Sequence, residues 1–379
     1  MYNAMNGGVL SRDIQKQLEQ ATLPVLPQRK DFAIGCIGAG FIMNDCHLVA
    51  YGNAGFNPVA ITSLTAEKRE AVAKRHNIKK VYDTWQKLID DTEIEILDIA
   101  VPPDVQMDVL RYAAVKKHLK GILMQKPAAM SLGEVREIAA IGKALGIPFA
   151  VNSNMRYDQS MRALKYALEK GYLGKPVLAT IEMRAIPHWQ EFLKKYPHLE
   201  IYSMGIHHVD IFRYLFGDPE KITAVCRTDP RTEFDHRDGI VQFTFKYADD
   251  FMATSLDDVW AWPNEPCEKD TYIKWRVEGL EGMASGTIGW PAYPQRQPST
   301  LRLTTKQASG WIEPHWDTVW FPDAFVGTMA SLLRAVETGT KPEIDIEDNV
   351  KTIACVEACY ASIKEERTVH LEDILSGKS

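Results

Sequence analysis

"DFAIGCIGAGFIMND", residues 31–45, is the stretch on which the fold turns. Phe32 to Ile37 is a short apolar run of the length of one buried strand. Gly38-Ala39-Gly40 follows at once, and Phe41-Ile42-Met43 opens a helical pattern. A G-x-G spacing on its own is weak evidence. Between a strand and a helix it has the context of a dinucleotide-binding turn. There Gly38 permits the tight turn and Gly40 lets a pyrophosphate approach the backbone. The helix start at Phe41 and Ile42 attracts its charge. The third small position of the fingerprint holds Met43, which predicts looser strand–helix packing.

Strands and helices alternate outward from this turn. NPVAITS, KKVYD, EILDIAV, GILMQ and PFAVNS read as further strands, separated by helical segments such as TAEKREAVAKRHN and VQMDVLRYAAVKKH. Ser131 and Glu134 stand in capping-box register at the head of another helix. This spacing predicts an α/β fold with a doubly wound parallel sheet over residues 31–152. After Arg156 strands dominate: PVLATIEMRAI, KITAVCRT, IVQFTFKY, FMATSLDDVW, TYIKWRVEG and LRLTTK. Residues 153–379 are expected to form a second α/β domain with a mostly antiparallel sheet. Residues 1–30 form a preface, with a short helix capped by Ser11 and an extended stretch through Pro24 and Pro27. Such an arm either wraps a partner subunit or is a disordered tail.

The bulk numbers narrow the function classes. The chain has 379 residues and a formal net charge of −6, and no Lys/Arg cluster stands out, so nucleic acid is not an expected partner. No apolar run approaches the roughly 18 residues of a membrane span, and the N-terminus does not read as a signal peptide. The six cysteines include no C-x-x-C pair. Neither a structural zinc site nor a disulfide framework is expected, and a reducing cytoplasm is the simplest setting. Cys355 and Cys359 read as half-buried thiols of one helix.

The end of the second strand addresses the adenosine ribose in such folds, an acid there favouring NAD and an arginine NADP. Thr62-Ser63-Leu64-Thr65 has neither. Ser63 suits either cofactor, and Lys68 is near enough in sequence to approach a 2′-phosphate. The expectation leans to NAD, with NADP not excluded.

Together with the glycine turn, AVPPDVQ (100–106) and MQKP (124–127) resemble motifs of the Gfo/Idh/MocA family, named for glucose–fructose oxidoreductase and inositol dehydrogenase. The resemblance runs from about residue 32 to 371. It implies a Rossmann domain followed by a domain with a large open sheet that often forms subunit interfaces, hence a homo-oligomer. It also implies NAD(P)-dependent oxidation or reduction of secondary alcohols on sugars and cyclitols. AVPPDVQ resembles the T-P-P-x-x-H turn beside the nicotinamide, with Pro102 and Pro103 retained and Gln106 in the histidine place. MQKP resembles E-K-P, with Gln125 replacing the glutamate. NSNMRYD (152–158), which includes Asn154, resembles the crossing into the second domain. MGIHHVD (204–210) resembles the D-x-x-x-H segment, with His207 at the histidine and Ser203 where the aspartate stands.

Alcohol oxidation requires a proton acceptor and a group that stabilises charge on the oxygen. Lys126 follows a buried strand at the carboxyl edge of the sheet, where such sheets bind ligands. From position alone it reads equally as a solvated loop lysine; the resemblance implies a catalytic one. Taken as a helix, residues 203–216 place Ser203, His207, Asp210 and Tyr214 within about 60° of one another. His208 falls on another, apolar face as a packing residue. His207 is the predicted base, with Asp210 to orient it. Losing the carboxylates at Ser203 and Gln125 shifts more of the proton work to Asp210 or Lys126.

Eight of the nine tryptophans lie after residue 188; each singly reads as core or interface more readily than as a sugar platform. Arg156, Tyr157, Arg184, His188 and Trp189 are the predicted substrate contacts. DDVW, WRVEG, GWPAYP and FPDAF resemble a subgroup acting on glycosides, including enzymes that oxidise C3 of a glucosyl unit. Two other activities occur in the family's orbit: an NAD-dependent glycoside hydrolase using transient C3 oxidation and elimination, and a non-catalytic NAD(P)-binding sensor.

Overall fold

A computed structural model describes residues 2–185, 191–259, 271–290 and 295–378, with side chains from residue 9 onward. The chain divides into two compact units. One comprises residues 24–154 and 321–353; the other comprises residues 1–23, 155–320 and 354–379. The segment 321–353 belongs with the nucleotide-type unit, although the sequence placed it in the second domain.

Helix α1 (Tyr2–Ala21) is longer than predicted, and Ser11 lies inside it rather than at its cap. The Ser11 hydroxyl donates to the carbonyl of Ser309 at 2.8 Å. Ile14 and Leu18, one turn apart, are buried. The Tyr172 hydroxyl donates to Gln17 Oε1 at 2.8 Å. The arm therefore packs on its own chain.

The strands of the first unit are β1 (Ala33–Ile37), β2 (Asn57–Thr62), β3 (Lys80–Tyr82), β4 (Ile96–Ile99), β5 (Gly121–Met124) and β6 (Phe149–Val151). Between them run α2 (Leu48–Ala54), α3 (Ala66–Arg75), α4 (Trp85–Asp90), α5 (Pro103–Ala113) and α6 (Leu132–Leu145). All six strands are parallel, in the order β3-β2-β1-β4-β5-β6. Every residue of β4, β5 and β6 is buried. A parallel sheet covered on both faces produces such continuous apolar runs, which is why these strands are legible. Ser131 caps α6 by accepting from the Glu134 amide at 3.2 Å.

The second unit holds α7 (Gln159–Glu169), β7 (Pro176–Arg184), α8 (Ile206–Phe216), β8 (Lys221–Arg227), β9 (Ile240–Lys246), β10 (Met252–Asp258), β11 (Tyr272–Gly279), β12 (Gly282–Ile288) and β13 (Thr300–Thr305). The chain ends through α9 (Ala324–Thr338), α10 (Ile346–Glu365), β14 (Val369–His370) and α11 (Leu371–Ser376). The eight strands pair as β13-β12-β11-β7-β10-β9-β8-β14. Only β7 and β10 run parallel among these pairs, so the mostly antiparallel sheet is as expected. Alternation is clear: Val241, Phe243 and Phe245 are buried, whereas Gln242 and Lys246 on the other face are exposed. Phe212 of α8 packs edge-on against Phe243 and Phe245. Strand β12 was not predicted, because Gly282 and Gly286 interrupt its pattern. A β-carbon at Gly286 would collide with the Thr300 carbonyl of the neighbouring strand. Cys355 and Cys359 are fully buried rather than half-buried, and the five described cysteines are free thiols.

Asp158 caps α7, accepting from the Ser160 amide at 2.9 Å and the Met161 amide at 3.3 Å. The Ser299 hydroxyl donates to its other oxygen at 2.5 Å. Burial outweighs these donors and pushes the carboxyl up to about 6. A carboxyl whose folded value exceeds its unfolded one gives stability that is complete below about pH 4 and is lost as pH rises through about 6. Asp158→Asn is therefore expected to gain stability relative to wild type as pH rises from 4 to 7, measured by denaturant midpoints. A difference between the two proteins that does not change with pH would contradict this.

Candidate active site

Strand β1 is followed at once by Gly38, at φ 111°. A β-carbon there would strike the carbonyl oxygen of Ala100, at the end of β4. Only glycine fits this conformation and this approach. At Gly40 nothing lies within 4 Å of where a β-carbon would stand, so the turn is open to an incoming phosphate. The residues present thus fit a dinucleotide.

The segment after the turn departs from the expected α-helix. Ile42–His47 is a π-turn that passes into α2. Met43 is fully buried within it, so the large residue at the third small position is accommodated by a wider helical turn. Phe41 meets the ring of Phe321 edge-on, centroids 6.4 Å apart. At the end of β2, the Ser63 carbonyl accepts from Arg69 at 3.2 Å. Lys68 is exposed on α3. Arg69 is the basic residue bonded to the main chain at Ser63.

Pro102 and Pro103 start α5, with Pro103 at its first turn. Gln106, predicted as a cofactor contact, has another role. It is fully buried, its amide nitrogen donates to the carbonyls of Gln125, Pro127 and Ala128 at 3.0–3.3 Å, and its oxygen accepts from the Gln125 amide at 2.9 Å. It clamps the loop that carries Lys126. A glutamine does this well because it offers a donor and an acceptor to main chain.

Lys126 stands two residues after the end of β5, half-buried. Its main-chain N–H donates to Gln125 Oε1 at 2.9 Å. Behind it lies a buried polar chain that the sequence did not reveal. Asn152 Nδ2 is 2.9 Å from His47 Nε2, and Gln125 Nε2 is 3.5 Å from the same nitrogen. His47 Nδ1 lies 2.7 Å from Asp98 Oδ2, which also accepts from the Tyr51 hydroxyl at 2.6 Å. His47, Tyr51, Asp98 and Asn152 are all fully buried. A visible signal was Asp98 itself, an acid within the apolar strand Ile96–Ile99; a buried carboxylate requires a partner. Asn154 is buried, with its side chain 3.4 Å from the Asn152 carbonyl.

In the second unit, α8 is preceded by a second π-turn, Ile201–Gly205. The Glu200 carbonyl accepts from the amides of Ser203, Met204 and Gly205 at 2.9–3.1 Å. The regular helix predicted from residue 203 therefore begins at Ile206, and Ser203 falls out of its register. His207 and Asp210 remain one turn apart on α8 and are buried. The His207 ring stands edge-on to Trp320, centroids 5.5 Å apart.

Asp210 is engaged by an arginine. Arg156 Nε and Nη2 each donate to one of its oxygens at 2.7 Å, with both residues about 5% exposed or less. The predicted substrate arginine and the predicted acid are thus partners in a bidentate pair. Tyr157 is buried, with the Arg162 guanidinium over its ring at 5.2 Å. Arg184 on β7 donates to Asp258 at 2.6 Å, which also accepts from Arg231 at 2.8 Å. His188 and Trp189 lie outside the described residues. His208, expected on an apolar face, is buried in polar company: its Nδ1 lies 2.9 Å from buried Asp257 and 3.1 Å from Ser255 Oγ.

Among the described residues no group of His, Cys, Asp and Glu is arranged to hold a metal ion, and no helix is long and apolar enough to cross a membrane. The family model described as an oxidoreductase family with NAD-binding Rossmann fold, Gfo/Idh/MocA, matches residues 32–153. The family's C-terminal-domain model matches residues 161–285. The chain is 24% identical over 363 residues to D-apiose dehydrogenase of Paraburkholderia graminis, covering 94% of each chain. It is 22% identical over 325 residues to myo-inositol 2-dehydrogenase of Thermotoga maritima, covering 83% of this chain and 91% of the relative. Its fold is similar to that of levoglucosan dehydrogenase in complex with NADH and levoglucosan, with a TM-score of 0.76 at 18% identity, over 90% of this chain and 99% of the other. An Agrobacterium radiobacter oxidoreductase in complex with NAD+, L-tartaric acid and magnesium is similar at a TM-score of 0.77 and 21% identity, over 90% and 99%. With the glycine turn, both sheets and the matched models in place, the chain belongs to the Gfo/Idh/MocA family of oxidoreductases and is an NAD-dependent enzyme.

Proposed function

We propose that this enzyme oxidises a secondary ring hydroxyl of a sugar, glycoside or cyclitol, with C3 of a glucosyl unit as the favoured position. The observation that carries the reading is the glycine turn, open at Gly40, at the same sheet edge as Lys126. Relatives named for D-apiose, 1,5-anhydro-D-fructose and myo-inositol support the polyol class. The resemblance of DDVW, WRVEG and FPDAF to glycoside enzymes supports C3.

NAD, when bound, supplies the hydride acceptor. The protein supplies proton handling and position. Lys126 Nζ is assigned to the substrate oxygen, where its charge stabilises the developing alkoxide. His207 is assigned to the hydroxyl proton. Asp210, with both oxygens on Arg156, acts through that arginine: the pair locks the segment after Asn154 to α8 and so holds His207 in place. Gln106 and Gln125 position the lysine loop. The exposed face of the eight-stranded sheet supports a homo-oligomer, and the free thiols support a cytoplasmic setting.

Lys126→Met and His207→Asn are each expected to lower kcat by about 10²-fold or more while NAD binding, followed by fluorescence, persists. Near-normal hydride transfer in both would overturn the assignment. A panel of glucosides, anhydro sugars and inositols, monitored for nicotinamide absorbance and aglycone release, tests the substrate class. Reduction of NAD with a 3-oxo product is expected. Aglycone release without net NADH would identify a hydrolase instead, and binding without turnover a sensor.

A further inference from the structure

We propose that His47 is a positioning residue for Lys126, held as the neutral ring with its proton on Nδ1. The hydrogen-bond pattern assigns this state. Gln125 Oε1 faces the main-chain N–H of Lys126 at 2.9 Å, and that N–H can only donate. The amide of Gln125 is thereby oriented, and its nitrogen is the atom 3.5 Å from His47 Nε2. Asn152 presents one atom both to His47 Nε2, at 2.9 Å, and to Gln125 Oε1, at 3.5 Å. Opposite an acceptor oxygen that atom must be the amide nitrogen. Two amide N–H groups therefore converge on Nε2. A proton there would face two donors, so Nε2 offers its lone pair and the ring proton sits on Nδ1, donated to Asp98 at 2.7 Å.

The surrounding titratable groups agree. From α2, the Tyr51 phenol donates to Asp98; burial, then the nearby Asp98, hold it well above the usual tyrosine range, as a donor. From β1, the Cys36 thiol is raised by burial and then by Asp98, so it adds no charge. From α9, the neighbour is the Phe325 ring, 5.0 Å away. One polarity runs through the chain: the Lys126 amide donates to Gln125, Gln125 to His47, and His47 to Asp98. The start of the lysine's backbone is thus anchored to a carboxylate in the centre of the sheet. A glutamate at 125 would break this order. It still accepts from Lys126, but it has no donor for Nε2 and instead favours a proton there, placing an imidazolium between two carboxylates. The glutamine in QKP and the neutral histidine therefore belong together.

The positioning role rests on Lys126 serving the reaction; the ring's protonation state does not. The test is a long-range proton–nitrogen spectrum of the 15N-histidine-labelled full chain at pH 7, with the His47 signals identified by their loss in His47→Gln. One protonated and one bare ring nitrogen are expected in wild type, and two protonated nitrogens in Gln125→Glu. Two protonated nitrogens in wild type, or an unchanged ring in Gln125→Glu, would overturn the assignment. Kinetically, Gln125→Glu and His47→Gln are each expected to lose about 10- to 100-fold in kcat with NAD affinity unchanged. Unchanged kcat in Gln125→Glu, which preserves side-chain size, would defeat the positioning role even if His47→Gln fails to fold. Normal turnover of Lys126→Met would defeat the functional reading and leave the spectral result standing.

Discussion

The close approach of Gly38 to the Ala100 carbonyl is the contact on which the nucleotide-type unit depends. It brings the carboxyl ends of β1 and β4 together without a side chain between them. The Gly38 amide also donates to the Thr62 carbonyl at 2.9 Å, so the turn is tied to β2 as well. The exposed backbone beyond it is what a pyrophosphate needs. The same convergence of strand ends brings Asp98, Lys126 and Asn152 to one edge of the sheet, and the π-turn after Gly40 adds His47 beneath them.

Both units hold buried polar pairs next to the candidate side chains. In the first, a hydrogen-bonded chain runs from the Asp98 carboxylate through His47 and Gln125 to the Lys126 backbone. In the second, the Arg156–Asp210 fork secures α8 below His207, and the Asp257–His208 contact secures the adjacent position. Each pair is nearly inaccessible to water, so removing one partner would leave an unsatisfied buried group, a costlier change than losing the contact itself. Such pairs hold geometry firmly.

Legibility followed periodicity. The strands of the parallel sheet and most of the antiparallel sheet announce themselves as apolar runs or alternations. Strand β12 does not, because its glycines make room for neighbouring backbones instead of carrying side chains. Both π-turns were invisible, since a pattern read at 3.6 residues per turn cannot register a wider turn. The role of Gln106 was hidden for a related reason: a glutamine in a binding motif looks the same whether it faces a ligand or its own loop.

The amino-acid sequence by itself determined the two-domain α/β plan, the glycine turn, the family and the identity of Lys126 and His207 as reactive candidates. The plan and the turn rest on local spacing, which a linear string preserves; the family and the two candidates rest also on the resemblance of short motifs. Tertiary structure alone decided which polar groups meet. His47 finds Asp98 and Asn152, 51 and 105 residues away, and Arg156 finds Asp210 at a separation of 54. It also decided that residues 321–353 join the first unit. Hydrogen bonds over such separations depend on how strand ends and helix faces are packed together, and no local pattern records that packing.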